Sequence, residues 1–394
     1  MPSRLDFPRR SPVWLLIASA ALQLCAACGS SNSAPPQQSA SQVSSEAISC
    51  TPSNVAPGSK SQCSATVHGT GTLNSAVTWA VSAGTINSSG AFTAPSSPEK
   101  VTVTATSIQD STITGTASLT VAYMVPSSRH VVLVMEENQG YSTIVGDTAN
   151  WPNLNALIAR GALATNYYAD SHPSIGNYFM LTTGQILTTD DSSTQVWNVD
   201  NVVRRMLAAN VSFRVYAEGI TQGYLGGNTG LYVIRHNPFA MLSDVADSQQ
   251  VANSVICPFS QFAVDLADNS LPQFSYIVPN VDDDAHSGTP LTADSWLQAN
   301  VVTRLSASSA FQSGGDGILI VDFDEAATTD TSHGGGHVVA LFWGPNVKAG
   351  YQQSSSIVYQ HESMLATVMA ALSLSNPPGL ADNAPTMGEF FVQK

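Results

Sequence analysis

Apolar and polar positions change rhythm along this chain. Between residues 46 and 124 short runs alternate one apolar with one polar residue, as in Val77-Thr78-Trp79-Ala80-Val81 and again over 101–106 and 112–121, with Gly, Ser, Asn and Pro between them. A period of two predicts strands with one buried face, and about seven such strands in so short a stretch predict a β-sandwich. Past Pro126 the runs become continuous. Residues 131–135 (VVLVM) read as a strand buried on both faces, and 211–216, 274–278, 317–321 and 338–343 as further strands. Leu154, Leu157 and Ile158 recur at helical spacing before Gly161, and 201–209, 261–267, 293–305 and 361–372 continue the helical rhythm between strands. This alternation predicts an α/β domain over 126–394: a mostly parallel sheet with helices on both faces.

The first 45 residues carry neither rhythm. Arg4, Arg9 and Arg10 precede an apolar stretch over 13–28, shorter than the ~20 residues a membrane span needs, so residues 1–27 read as a signal peptide. The sequence Leu24-Cys25-Ala26-Ala27-Cys28-Gly29-Ser30 is similar to a bacterial lipoprotein signal. That implies a lipid anchor at Cys28, with ordinary cleavage and secretion as the alternative. Residues 28–45, rich in Ser, Gln, Pro and Ala, read as a disordered tether. The expected location is therefore outside the cytoplasm, as a periplasmic or cell-surface lipoprotein or a secreted protein. Cys50 and Cys63 flank a turn-rich stretch and suit a disulfide between neighbouring strands in an oxidising compartment, which leaves Cys257 as a buried thiol.

Charge narrows the class further. With 14 Lys+Arg against 28 Asp+Glu in 394 residues, the net charge of −14 excludes a nucleic-acid binder, because nothing here could neutralise a run of phosphates.

The chemistry gathers where strands end. Glu136-Glu137-Asn138 follows the first strand of the second domain, and Ser171-His172-Pro173-Ser174 leads into a helix. Asp282-Asp283-Asp284-Ala285-His286 follows strand 274–278; Asp324-Glu325 and Gly334-Gly335-Gly336-His337 follow strand 317–321. Each group alone has an ordinary reading, as a solvated turn, a helix-capping serine or an acidic loop. Together, at the carboxyl edge of one parallel sheet, they define a site.

The motifs MEENQGY, SHPSIGNY, RHNPF, PNVDDDAH, ADSWL, FDE, GGGHV and HESMLATV, in this order, resemble the phosphoesterase family of bacterial and fungal acid phosphatases and C-type phospholipases, within the alkaline-phosphatase superfamily. The segment VTWAVSAGTINSSGAFTAP is similar to bacterial immunoglobulin-like domains of group 2. The first resemblance implies Ser174 as nucleophile, with Glu137, Asn138, Ser174, Asp324 and Glu325 around a divalent metal (Ca, Mg or Mn, with Zn left open by the histidines). It implies Asn177, His172 and His236 as phosphoryl-binding residues and His286 and His337 as catalytic helpers; Asp284, His286 and His337 are candidates for a second metal site. Glu136 is then structural. Gly176 stands where the family usually has Pro.

The activity implied is hydrolysis of a small phosphate monoester through a phosphoserine, as in acid phosphatases. The alternatives are a C-type phospholipase, or a non-catalytic surface-binding protein in which the immunoglobulin-like module makes the surface or glycan contacts. A sulfatase is disfavoured because Ser174 lacks the Cys/Ser-x-Pro-x-Arg context.

Overall fold

The computed structural model describes residues 40–393. The expected signal peptide, the lipidation site Cys28 and most of the tether lie outside the described residues. No helix among the described residues is long and apolar enough to cross a membrane.

Eight strands form the N-terminal module: β1 (Gln42–Thr51), β2 (Asn54–Val55), β3 (Lys60–Thr70), β4 (Val77–Val81), β5 (Thr85–Ile86), β6 (Ala91–Thr93), β7 (Glu99–Ser107) and β8 (Thr114–Val121). They make two four-stranded sheets, ordered β1-β3-β6-β5 and β2-β8-β7-β4. Cys63 and Phe92 of the first sheet and Val101, Val103, Leu119 and Val121 of the second share one apolar core. The alternation in sequence becomes alternation in burial, with Val101, Val103 and Ala105 inward. β1 begins inside the stretch read as tether. Cys50 and Cys63 are direct partners in the β1–β3 register and form a disulfide.

The second module is built on β9 (Val131–Glu136), β10 (Ala162–Ala164), β11 (Phe213–Ala217), β12 (Ile256–Pro258), β13 (Phe274–Val278), β14 (Ile318–Phe323), β15 (Ala340–Trp343) and β16 (Tyr351–Gln352). The sheet order is β12-β11-β13-β9-β14-β15-β10-β16, and every pairing is parallel except those of β15. The short strands β10, β12 and β16 were invisible to periodicity, since two or three residues cannot display a period. The helix expected over 293–305 starts earlier, at Pro290 with Thr289 capping it, and is interrupted by a π turn at Gln298–Val302.

Helices cover both faces of the sheet. Phe213, Phe274 and Tyr276 pack around Phe239 on one face, which also carries the helices Ile175–Thr183 and His361–Ala371; on the other, Tyr216 packs edge-on against Phe262 of the helix Ser260–Ala267. The central strands are apolar throughout because both faces are covered, and the first charged residues come where cover ends. Those residues form the site.

Candidate active site

At the end of β9 consecutive side chains point to opposite faces. Glu136 and Glu137 therefore part company: Glu137 joins the serine, whereas Glu136 is buried with neither oxygen hydrogen-bonded among the described residues. Asn138 then adopts φ +55°, a left-handed turn that asparagine tolerates. The turn lets its backbone N–H donate to Asp324 Oδ1 at 2.9 Å and its Nδ2 donate to Glu137 Oε2 at 3.2 Å.

Ser174 immediately precedes the helix Ile175–Thr183, yet its hydroxyl does not cap it. Asp191 takes that task, accepting from the Ile175 N–H. The freed Ser174 Oγ lies 3.1 Å from Glu137 Oε2 and 3.4 Å from Glu325 Oε1, donating toward both carboxylates. One helical turn on, Tyr178 O–H donates to Glu137 Oε1. Gly176 leaves room for Ser171, whose Oγ would stand 2.3 Å from any Cβ at that position.

His172 is gripped by acceptors on both ring nitrogens, Glu325 Oε2 at 2.7 Å and the Asp330 carbonyl at 2.8 Å. Burial lowers its pKa, but the Asp330 carbonyl and the Glu325 carboxylate outweigh that and raise it. Asn177 does not face the serine cluster. Its Oδ1 accepts the backbone N–H of Asp170 and Ser171, and its Nδ2 donates to the Ser171 carbonyl. It holds the loop that carries Ser174. Gly334 backs the same loop at φ +111°, where a Cβ would fall 2.0 Å from the Asp170 carbonyl oxygen.

A second lobe gathers on the other side of Glu137. His236 Nε2 lies 3.0 Å from Glu137 Oε1 and its Nδ1 lies 3.1 Å from Asp284 Oδ2. Neither approach is aligned as a hydrogen bond: His236 Nε2 and Asp284 Oδ2 are buried without partners, as is Asp324 Oδ2. Ligand atoms of Glu137, His236 and Asp284 lie within 4.8 Å of one another.

The trio Asp284, His286 and His337 is not assembled. Ala285 takes φ +72°, so the chain turns between Asp284 and His286. His286 is exposed and meets Arg235 Nη2 at 3.0 Å. His337 is stacked between Tyr141 and Tyr168, its ring 4.2 Å and 4.9 Å from theirs, and its side chain makes no hydrogen bond to the serine cluster. His236 is the histidine that meets Asp284.

Burial dominates the electrostatics of these carboxylates. Burial, reinforced by Asp324 and Asp284, holds Glu137 well above the usual carboxylate range. Burial likewise raises Asp324, lifts Asp284 to about 8, and with Asp324 lifts Glu325 to about 7. His236 is pushed well below an ordinary imidazole by burial and by Arg235 and His286, which leaves it neutral. Unpartnered buried carboxylate oxygens and a neutral imidazole are a donor set fitted to a divalent ion. Sequence reasoning missed Tyr178, legible as the residue one helical turn after Ser174, and Arg235, adjacent to His236. Asp191 carried no signal.

Sequence relatives put the chain among the hydrolases that act on phosphoric ester bonds. Residues 148–375 match the model of the Phosphoesterase family, and the chain belongs to that family. A phosphatidylinositol-3-phosphatase from Mycobacterium tuberculosis is 29% identical over 274 residues, covering 68% of this chain and 85% of that protein. An acid phosphatase from Aspergillus fumigatus is 30% identical over 241 residues, covering 57% of this chain and 51% of that protein. The chain thus spans about half the length of this fungal relative. The solved structure of a protein in the alkaline phosphatase superfamily from Vibrio parahaemolyticus is 15% identical with a TM-score of 0.42, covering 65% of this chain and 69% of that chain.

Proposed function

We propose that the protein is an exported, metal-dependent phosphatase that hydrolyses phosphate monoesters through a phosphoserine at Ser174. The observation that carries this reading is the Ser174 hydroxyl, released from helix capping and turned onto Glu137 and Glu325 at 3.1 and 3.4 Å.

Ser174 Oγ attacks phosphorus, its proton passing to the Glu137 or Glu325 carboxylate as the bond to the leaving oxygen breaks. The protonated carboxyl gives that proton to the departing oxygen, which leaves as the alcohol. Water then attacks the phosphoserine, and one of its protons passes by way of the carboxylate to Ser174 Oγ as phosphate is released and the hydroxyl restored. His172 holds Glu325 in place, and Arg235 with His286 supplies cationic and polar contacts at the exposed side, where the ester's oxygens and leaving group enter. Glu137, Asn138, Asp324 and Glu325 would hold a divalent ion beside Ser174, with His236 and Asp284 completing a position on the far side of Glu137. Such an ion supplies charge neutralisation at the nucleophile and at the phosphoryl oxygens.

Export is supported by the basic-then-apolar leader in the sequence and by the Cys50–Cys63 disulfide. The N-terminal sandwich serves as an immunoglobulin-like spacer behind a lipid anchor at Cys28. Among monoesters, the mycobacterial relative makes a phosphatidylinositol 3-phosphate a substrate to test beside a soluble aryl phosphate.

The test is hydrolysis of p-nitrophenyl phosphate from pH 4 to 9, with chelator and metal add-back, beside Ser174→Ala. Acid-quenched enzyme should yield a phosphopeptide containing Ser174. Activity that survives Ser174→Ala would remove the nucleophile assignment. Cleavage of phosphatidylcholine with no monoesterase activity would turn the reading to a phospholipase.

A further inference from the structure

The HES motif that opens the helix His361–Ala371 takes no part in the chemistry above, yet His361 is wholly buried and charged groups surround it. Its Nδ1 lies 3.0 Å from Asp170 Oδ2, and its backbone N–H donates to the same oxygen at 3.2 Å. Its Nε2 faces the Phe323 carbonyl at 3.2 Å and stands 3.9 Å from Asp322 Oδ1. Both ring nitrogens therefore point at acceptors, which only the doubly protonated ring satisfies. The Tyr167 ring packs edge-on against it, and the Tyr167 O–H donates to Asp322.

The two segments that His361 touches are the two that must be held in register. Asp170 stands four residues before Ser174, at the start of the loop organised by Asn177. Phe323 is the last residue of β14 and directly precedes Asp324 and Glu325. No regular ladder joins the loop to β14, because β9 and β15 occupy the two sides of that strand. Cross-links between loop and strand end must therefore come from side chains, and His361 reaches both from the start of a buried helix.

We infer that His361 is a positioning residue that sets the distance between the nucleophile loop and the metal-binding carboxylates, by bridging Asp170 and the Phe323 carbonyl. The inference rests on the reading of Ser174, Asp324 and Glu325 as one metal-centred site. Gln360 reinforces one half of the bridge, donating from Nε2 to Asp170 Oδ1 at 3.1 Å and to the His333 carbonyl at 3.0 Å. His172 and Ser174 tie the loop to Glu325 just beyond the strand end, and His361 adds the bridge from Asp170 to the Phe323 carbonyl of the strand itself.

The experiment measures Mn²⁺ affinity by calorimetry, together with kcat and KM, on the full chain carrying His361→Asn, His361→Gln or Asp170→Asn. Removing a residue that orients metal ligands typically costs about 10–100-fold in metal affinity or activity. His361→Asn keeps a donor near Asp170 and loses the reach to Phe323; His361→Gln restores that reach. The expected result is a rise in the Mn²⁺ dissociation constant of roughly tenfold or more for His361→Asn, with kcat reduced and KM within about twofold of wild type. His361→Gln should recover part of both losses. Folded variants with wild-type Mn²⁺ affinity and kcat would overturn the inference. Should the His361 variants fail to fold, Asp170→Asn, which keeps an acceptor but removes its charge, decides: unchanged Mn²⁺ affinity overturns the inference and weakened affinity supports it. The metal titration stands apart from turnover, so a wild type that binds Mn²⁺ but hydrolyses no phosphate ester would count against the phosphatase reading and leave this test in force.

Discussion

His172 Nδ1 sits 2.7 Å from one oxygen of Glu325, whose other oxygen faces the Ser174 hydroxyl at 3.4 Å. The imidazole therefore governs how Glu325 meets the nucleophile without touching it. Replacing it by His172→Gln should lower kcat by about 10–100-fold with the fold intact, since an orienting partner and a neighbouring charge are lost together. The sign of the pH effect follows from the raised pKa of His172. The ring keeps its proton to a higher pH than an ordinary imidazole, so the pair weakens on the alkaline side of its titration. The wild-type pH–rate profile should fall there, and His172→Gln should flatten that limb; an unchanged limb would separate His172 from the proton inventory.

Asn177 is expected to act on the loop and not on the substrate. Asn177→Ala leaves the backbone N–H groups of Asp170 and Ser171 without acceptors, at a cost of about 1–3 kcal/mol for each that stays buried. Urea unfolding should show that loss, and kcat should fall with it. A rise in KM alone, with stability unchanged, would instead put Asn177 in contact with phosphate.

His361 ties stability to pH. Burial opposes its charge, but Asp322 and Asp170 raise its pKa from 6.5 to about 9. A raised folded-state pKa contributes stability that is complete below the unfolded value and disappears as pH rises through the folded one. The thermal midpoint of the wild type should therefore decline between pH 6.5 and about 9. His361→Gln should start lower and change less over that window. A variant that tracks the wild-type slope would assign the decline to another group.

Metal removal should cost stability as well as activity. With Glu137, His236 and Asp284 buried and their ligand atoms within 4.8 Å of one another, an ion at 100 times its dissociation constant would add about 2.7 kcal/mol to the fold. Chelation should lower the midpoint of the second module in differential scanning calorimetry, and Mn²⁺ should restore it. Asp284→Asn, which removes one carboxylate donor to the ion, should shrink the difference. An identical midpoint with and without chelator would count against a metal held by these carboxylates.

Reduction should act on the first module alone. The Cys50–Cys63 link closes a short loop, separation 13, between partners in one sheet, and closing a loop near that length is worth about 3 kcal/mol. The two modules have separate apolar cores. Dithiothreitol or Cys50→Ser/Cys63→Ser should depress only the sandwich transition and leave phosphatase activity unchanged. Loss of activity would reveal coupling between the modules.

Much of the architecture was legible because burial on two faces demands unbroken apolar runs. β9, β13 and β14 lie where those runs predict, and Glu137, Asp284 and Asp324 stand where the runs give way to charge. The class of chemistry was legible for the same reason: in a parallel sheet the polar residues after each strand gather on one edge. Direction within that edge was not. A strand's period of two parts Glu136 from Glu137, but no periodicity governs the loops beyond it.

The residue pattern alone therefore specified the long central strands β9, β13 and β14, the edge and the residue types available there, but not the short strands β10, β12 and β16. Only the tertiary structure decided which side chains meet. The left-handed turn at Ala285 sends Asp284 inward and His286 out to Arg235, and tyrosines on both sides hold His337. His236 fills the place beside Asp284, and His361, from the far end of the chain, spans the serine loop and β14. These choices rest on contacts between residues tens to nearly two hundred positions apart, where packing and hydrogen-bond satisfaction across the whole domain outweigh any local preference.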